Sequence, residues 1–350
     1  MDTKIENFGS IKAQNVSLIT LTNGTGHQVR ITNFGGIVHS WFCPDKHGVY
    51  EDILLGCPDL NGYTERHPYF GAIVGRYANR IQHGQFEIDG VTYRLPKNLP
   101  PHHLHGGEQG FDRKIWKFEV VELKDRTSVV LTTVSEHMEE GYPGELDLKV
   151  TYTFTDENEL VIEYWATTDR KTHINLTNHC YFNLSGRPGA QILDHEVRIS
   201  ASHYTESDEE LIPTGKISPV ADTVLDFTDF HLISERIFMD NPLLKVAKGY
   251  DHNYVIDPHS IQQPVAEARH ILSGRRLQVF SDQPGLQLYT GNWLGGVHGK
   301  GVVYSDFAGL CLETQHFPDT PHHPGFPTTI LIPGETFYSK SSYKIDTVKG

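Results

Sequence analysis

Three segments of this chain hold residues whose types suit proton transfer. The first, Thr177-Asn178-His179-Cys180-Tyr181-Phe182-Asn183-Leu184, sets an imidazole inside a run that reads as a buried strand. Histidine is the side chain whose ordinary pKa lies nearest neutrality, so a positioned one is the first candidate for giving or taking a proton. Side chains alternate along a strand, which puts His179 and Tyr181 on one face and Asn178 and Cys180 on the other. A core histidine bonded to a backbone carbonyl is the plain alternative. The second segment is Gly309-Leu310-Cys311-Leu312-Glu313-Thr314-Gln315-His316-Phe317-Pro318-Asp319. With Leu310 and Leu312 on one face, Cys311, Glu313 and Gln315 take the other, where partial desolvation would make Glu313 more basic. A glutamate at a strand end facing water is equally open for that segment taken alone. The third is Pro101-His102-His103-Leu104-His105-Gly106-Gly107, whose paired glycines allow close approach of the backbone and set His105 on a loop. Three histidines so close raise the question of a metal, but the segment has no helical His-x-x-x-His and no cysteine partner, so none is expected. His322 and His323 read as solvated loop side chains.

Two polar cassettes and an aromatic run supply candidate binding groups. Gly75-Arg76-Tyr77-Ala78-Asn79-Arg80-Ile81 sets two arginines and an asparagine between apolar stretches, and Arg offers a rigid fork of donors to hydroxyl or carboxylate oxygens. Surface ion pairs are the alternative for both arginines. Gly249-Tyr250-Asp251-His252-Asn253-Tyr254-Val255 supplies Asp251, an acceptor-only carboxylate suited to hydroxyl donors, or else an Asx-turn. In Leu286-Gln287-Leu288-Tyr289-Thr290-Gly291-Asn292-Trp293, Gln287 can donate and accept, while the rings could meet a ligand or fill core.

The elements that must position these residues read as strands. Val16–Leu21, Val29–Ile31, Phe86–Leu95, Val129–Val134, Leu146–Phe154 and Glu159–Ala166 are rich in β-branched and aromatic residues and bounded by turn formers. Ile88-Asp89-Gly90-Val91 is a tight hairpin signal, because Asp-Gly accepts the left-handed backbone angles that such a loop demands. Thr155-Asp156-Glu157-Asn158 reads as a turn. Thirty-two glycines and 19 prolines spread as punctuation favour many strands joined by loops. Only Phe230–Phe238 and the stretch near Val265–His270 suggest short helices. The expected fold is an all-β sandwich with no internal boundary.

Composition narrows the partners. Forty-four acids against 30 Lys and Arg give a formal charge of -14 with no basic run, which argues against nucleic acid. Cys43, Cys57, Cys180 and Cys311 are scattered without a Cys-x-x-Cys pair and read as reduced thiols. The first residues lack the apolar core of a signal peptide, and no later run has the length of a spanning helix. A cytoplasmic protein with no membrane partner is the expectation.

Taken in order, Gly75–Ile81, Leu104–Gly107, Thr177–Leu184, Gly249–His252, Gln287 with Tyr289–Asn292, and Leu312–Gln315 with Phe317–Asp319 resemble the aldose 1-epimerase (galactose mutarotase) family over essentially the whole chain. The resemblance implies one large β-sandwich domain over residues 1–350, a galactose mutarotase-like supersandwich, with no cofactor and no metal. It implies interconversion of the α and β anomers of hexoses such as D-galactose and D-glucose, and a small aldose as the only partner of a monomer or homodimer. Position by position, Glu313 would be the general base and His179 the general acid, working ionised and protonated respectively. His105 would assist at the ring oxygen, and Asn79, Arg80, Tyr181, Asp251 and Gln287 would hold hydroxyls. The family often has a small residue where Cys180 stands, but strand alternation turns Cys180 away from His179. A glycoside hydrolase using Glu313 with Asp251, a non-catalytic sugar-binding module, and a phosphosugar epimerase using Arg76 are the competing readings.

Overall fold

The protein is described by a computed structural model covering residues 1–65 and 67–347. Strands dominate it. A nine-stranded antiparallel sheet runs in the spatial order Lys117–Glu122, Arg126–Ser135, Leu146–Thr155, Glu159–Thr168, Phe337–Thr347, Arg275–Ser281, Ala266–His270, Glu196–Ile199 and His231–Leu232. A five-stranded sheet has the order Pro213–Pro219, His203–Ser207, Asp251–Val255, Gly285–Tyr289 and Cys311–Gln315. An N-terminal five-stranded sheet takes Asp2–Ile11, Gln14–Thr22, Gln28–Thr32, Ile37–Pro44 and Tyr50–Asp52 in chain order.

Alternation decides which faces meet. In Leu146–Thr155 the residues Leu146, Leu148, Val150, Tyr152 and Phe154 are buried while Asp147 and Lys149 are exposed. Each such large apolar side chain contributes about 1.5–3 kcal/mol by leaving water. Both five-stranded sheets pack on the nine-stranded one in a continuous apolar cluster. Trp41 meets Phe154 edge-on at 5.8 Å, and the Tyr152 hydroxyl donates to the Gly36 carbonyl at 2.8 Å. From the other sheet, Leu286, Leu288 and Leu312 enter the same core, and Thr314 Oγ1 bonds Ser341 Oγ at 2.6 Å.

The expected β-sandwich is therefore the observed architecture. The hairpin forms with Ile88 opposite Val91, Asp89 at φ 52° and Gly90 at φ 79°. Ile233–Arg236 is helical within the stretch expected to be so. The second expected helix is wrong: Ala266–His270 is a strand, held between Glu196–Ile199 and Arg275–Ser281. A short run of that kind has no periodicity of its own, and pairing on both edges overrides it. Helices Leu60–Thr64 and Pro242–Ala247 were not expected. Each begins at a side-chain cap, Asp59 accepting from Gly62 N and Asn241 from Leu243 N, with Pro242 in the first turn. Among the described residues no helix is long and apolar enough to cross a membrane. All four cysteines are free and buried.

Two loops cross tightly beneath the polar cleft. Gly106 has φ +87°, and a Cβ there would stand 1.8 Å from the Gly75 carbonyl oxygen, so only glycine lets the His105 loop sit on the Arg76–Arg80 segment. Gly106→Ala is expected to cost about 2 kcal/mol or more, read as a lower denaturation midpoint. An unchanged midpoint would contradict this packing.

Candidate active site

Register sets the floor of the site. Asp251, Asn253 and Val255 pair with Tyr289, Gln287 and Gly285, which pair in turn with Cys311, Glu313 and Gln315. Because side chains alternate, these nine residues share one face of the sheet. The intervening Tyr254, Leu286, Leu288 and Leu312 point the other way into the core. Glu313 thus lies one strand from Gln287, and the diagonal neighbour of Gln287 is Asp251.

The His179 segment lies over this floor. Its ladder ends at Asn178, yet the chain stays bonded: His179 N donates to Ala72 O at 3.0 Å, and Gly71 N donates to His179 O at 2.9 Å. Alternation holds through the segment. Cys180 joins the apolar core, while the rings of His179 and Tyr181 stack at 4.9 Å. His179 Nε2 stands 3.6 Å from Glu313 Oε2. His105 closes the third side, its ring 5.2 Å from that of His179 and nearly perpendicular to it. Asn79 N donates to His105 Nδ1 at 3.1 Å, which leaves the proton of a neutral ring on Nε2.

Around these three lie the binding candidates. Arg80 meets Asp251 Oδ2 at 3.3 Å, and Gln287 Nε2 donates to Asp251 Oδ1 at 2.6 Å. Asn79 holds φ +63° and accepts from the backbone N–H of Arg80 at 2.8 Å, so its carbonyl is partly committed to shaping the turn. The site thus gathers all the residues singled out for it. Beside it opens a cavity of about 890 Å³ with Tyr69, Leu104, Gly107 and Trp293 in its wall.

Burial governs the electrostatics. Glu313 is 2% exposed, its Oε2 has no hydrogen-bond partner, and its pKa is pushed well above the usual carboxylate value by desolvation and then by the charge of Asp251, against the pull of Arg80. Desolvation lowers His179 to about 4 and holds His105 well below the ordinary histidine value. Desolvation therefore favours the neutral forms of both groups over the expected pairing of ionised Glu313 with protonated His179. The exposed-glutamate alternative is removed by the same burial.

Other expectations resolve differently. His103 donates from Nδ1 to Pro96 O at 2.7 Å and meets the Tyr142 hydroxyl at Nε2, and His102 Nδ1 accepts from His83 N, so neither joins His105. Instead, His105, His179 and Glu313 each bring a ligand-type atom to within 4.8 Å of the others, and this is where a metal would find ligands. His322 and His323 are not free loop side chains, because both contact Asp319, at 2.7 and 3.5 Å. Arg76 is 2% exposed and spends its guanidinium on Ser135, Glu136 and Pro143, which removes it as a phosphate ligand.

Two neighbours of His179 escaped the sequence reading. Cys311 Sγ lies 3.6 Å from His179 Nδ1. Alternation had placed it on the Glu313 face, but nothing in the sequence set the imidazole above it. Tyr69, at φ +59°, packs on His105 at 4.7 Å and His179 at 6.0 Å, and no sequence signal marks it.

A buried carboxyl group and two imidazoles converge on one small space, with an arginine, a carboxylate and two amides beside it. Such a site can take a proton from one atom of a small polyhydroxylated molecule and deliver one to another. The family model for aldose 1-epimerase matches residues 17–344. Galactose mutarotase of Mus musculus is 42% identical over 336 residues, covering 91% of this chain and 92% of the mouse protein. Aldose 1-epimerase of Escherichia coli K12 is 36% identical over 333 residues, covering 93% and 94%. The crystal structure of galactose 1-epimerase from Lactobacillus acidophilus superposes with a TM-score of 0.88 at 27% identity, over 99% of each chain. The site's chemistry, the fold and the similarity along nearly the whole length agree, and the chain belongs to the aldose 1-epimerase family.

Proposed function

We propose that this protein is a mutarotase, an isomerase that interconverts the α and β anomers of free hexoses such as D-galactose and D-glucose. The observation carrying this reading is the 3.6 Å approach of His179 Nε2 to Glu313 Oε2 in a space shared with His105. Glu313 takes the proton of the C1 hydroxyl as the C1 carbonyl forms. The bond from C1 to the ring oxygen breaks, and that oxygen takes a proton from His179, with His105 Nε2–H as a second donor. The open aldehyde turns about C1-C2, and the steps run backwards on the other face. No electron is gained or lost. Arg80, Asp251, Gln287, Asn79 and Tyr181 hold hydroxyls and fix the ring between acid and base. The reading takes residues 1–350 as one domain acting on a free sugar in the cytoplasm, as monomer or homodimer.

The proton count supports this assignment. A neutral carboxyl group opposite a neutral imidazole holds the same single proton as a carboxylate opposite an imidazolium. Desolvation favours the first arrangement, while Arg80 and bound hydroxyls favour the second. Cys311 bears on which nitrogen carries the proton. Burial keeps its pKa well above the ordinary thiol value, so the S–H persists; it can donate to Nδ1 of neutral His179, whose own proton then sits on Nε2, and the sulfur accepts from Nδ1–H once the ring is an imidazolium. The hydrolase reading is weaker because Arg80 and Gln287 already engage both oxygens of Asp251, the second carboxylate it would need.

Polarimetry on freshly dissolved α-D-galactose and α-D-glucose is expected to show accelerated mutarotation, and release of the aglycone from a methyl glycoside is expected to be absent. Glu313→Gln and His179→Asn, if folded, are each expected to lower kcat by about 10²- to 10⁴-fold. Folded wild type that leaves the rate unchanged would refute the reading. The pH profile should be a bell. Activity is lost on the acid side as His179 takes a second proton for the pair near pH 4, and on the basic side once Glu313 has lost its proton at its raised pKa. A profile flat through pH 4 would contradict it. Cys311→Ala should lower kcat by roughly tenfold with little change in KM, with Cys311→Ser recovering part of it, because a buried nitrogen left without a partner costs about 1–3 kcal/mol. Equal losses in both variants would show that the thiol only fills space.

A further inference from the structure

One polar side chain on the floor of the cleft has no part in the reaction described above. Asn253 stands directly across from Gln287, and Gln287 directly across from Glu313. The neighbouring strand pairs Tyr204 with Tyr254, and the same register puts Thr205 beside Asn253, whose Nδ2 donates to Thr205 Oγ1 at 3.3 Å. Thr205, Asn253, Gln287 and Glu313 thus form one polar row across four strands.

Asn253 is 3% exposed, and its Oδ1 has no hydrogen-bond partner in the protein. It lines a narrow groove together with Arg80, Asp251 and Gln287. The next position on the same face of the adjacent strand is Gly285, where a Cβ would stand 2.7 Å from Asn253 Oδ1, 2.9 Å from Phe317 Cδ1 and 3.0 Å from the Gln315 carbonyl oxygen, so the glycine is what leaves room for that oxygen. A buried carbonyl oxygen without a donor is costly, and here a ligand hydroxyl would satisfy it. Strands lie about 4.8 Å apart, so two steps set Asn253 roughly 10 Å from Glu313, a span that fits one pyranose ring hydrogen-bonded at both ends.

We infer that Asn253 accepts a hydrogen bond from the hydroxyl on the ring edge opposite C1, the C4 hydroxyl of an aldohexopyranose, and so selects substrate at a point remote from the chemistry. This rests on the aldose reading above. Asn253 binds in ground state and transition state alike, so its contribution falls on KM rather than kcat.

The test compares D-galactose with 4-deoxy-D-xylo-hexose, which lacks only that hydroxyl, in wild type and Asn253→Ala by polarimetry or anomeric exchange NMR. Wild type should show a higher KM for the deoxy sugar. The variant should raise KM for D-galactose by about five- to tenfold with kcat nearly unchanged, and leave KM for the deoxy sugar as it was. If the alanine variant does not fold, Asn253→Ser is measured in the same way. An active wild type with equal KM for both sugars, or a variant that shifts both by the same factor or neither, overturns the role of Asn253 alone. A folded wild type that accelerates neither sugar overturns the aldose reading and this inference together.

Discussion

The burial of Glu313 beside His179 is the interaction on which the rest of the structure depends. A carboxyl group 2% exposed, with one oxygen lacking a partner, is expensive to keep charged, and an imidazole drawn down to about 4 by the same desolvation is expensive to protonate. Holding the two at 3.6 Å lets one proton serve both. The site is then a reservoir whose charge separates when the hydroxyls of a polar ligand stabilise the charged forms. Water filling the same space would remove the desolvation and weaken both groups as reversible donor and acceptor.

That arrangement has to be imposed from outside the pair, and sheet register imposes it. The alternation that turns Leu286, Leu288 and Leu312 into the core also turns Gln287, Glu313 and Cys311 into the cleft. A slip of one residue in Cys311–Gln315 would bury leucine in the site and glutamate in the core, so the apolar face of this strand specifies the catalytic one. The second half comes from loops: Asn79 and His105, both at positive φ, bond each other's backbone, and Gly106 rests on the Gly75 carbonyl. Rigid strands thus carry the carboxylate, while strained loops bring an imidazole to it.

Much of this was legible in the sequence because it depends on period and turn chemistry. Alternation alone separated Cys180 from His179 and put Glu313 with Cys311, and Asp89-Gly90 marked its hairpin. What escaped depends on contacts between distant segments. Ala266–His270 looked helical because its pairing partners lie elsewhere in the chain. The three adjacent histidines at 102, 103 and 105 looked like one group, yet backbone and side-chain partners turn them apart. The protonation of Glu313 and His179 likewise depends on burial set by distant segments. Residue types reveal the capacity to exchange a proton, whereas depth of burial decides where it rests.

The central claim is that burial shifts Glu313 toward its neutral form, with the proton held ready for the pair. Difference infrared spectroscopy of wild type against Glu313→Gln tests it directly, because a buried carboxylic acid and a carboxylate absorb in separate regions. The account predicts that the wild type loses a protonated-carboxyl band on substitution, and that this band diminishes when D-galactose is added. A carboxylate band that persists as pH falls to the ordinary glutamate range before a protonated-carboxyl band replaces it would contradict it.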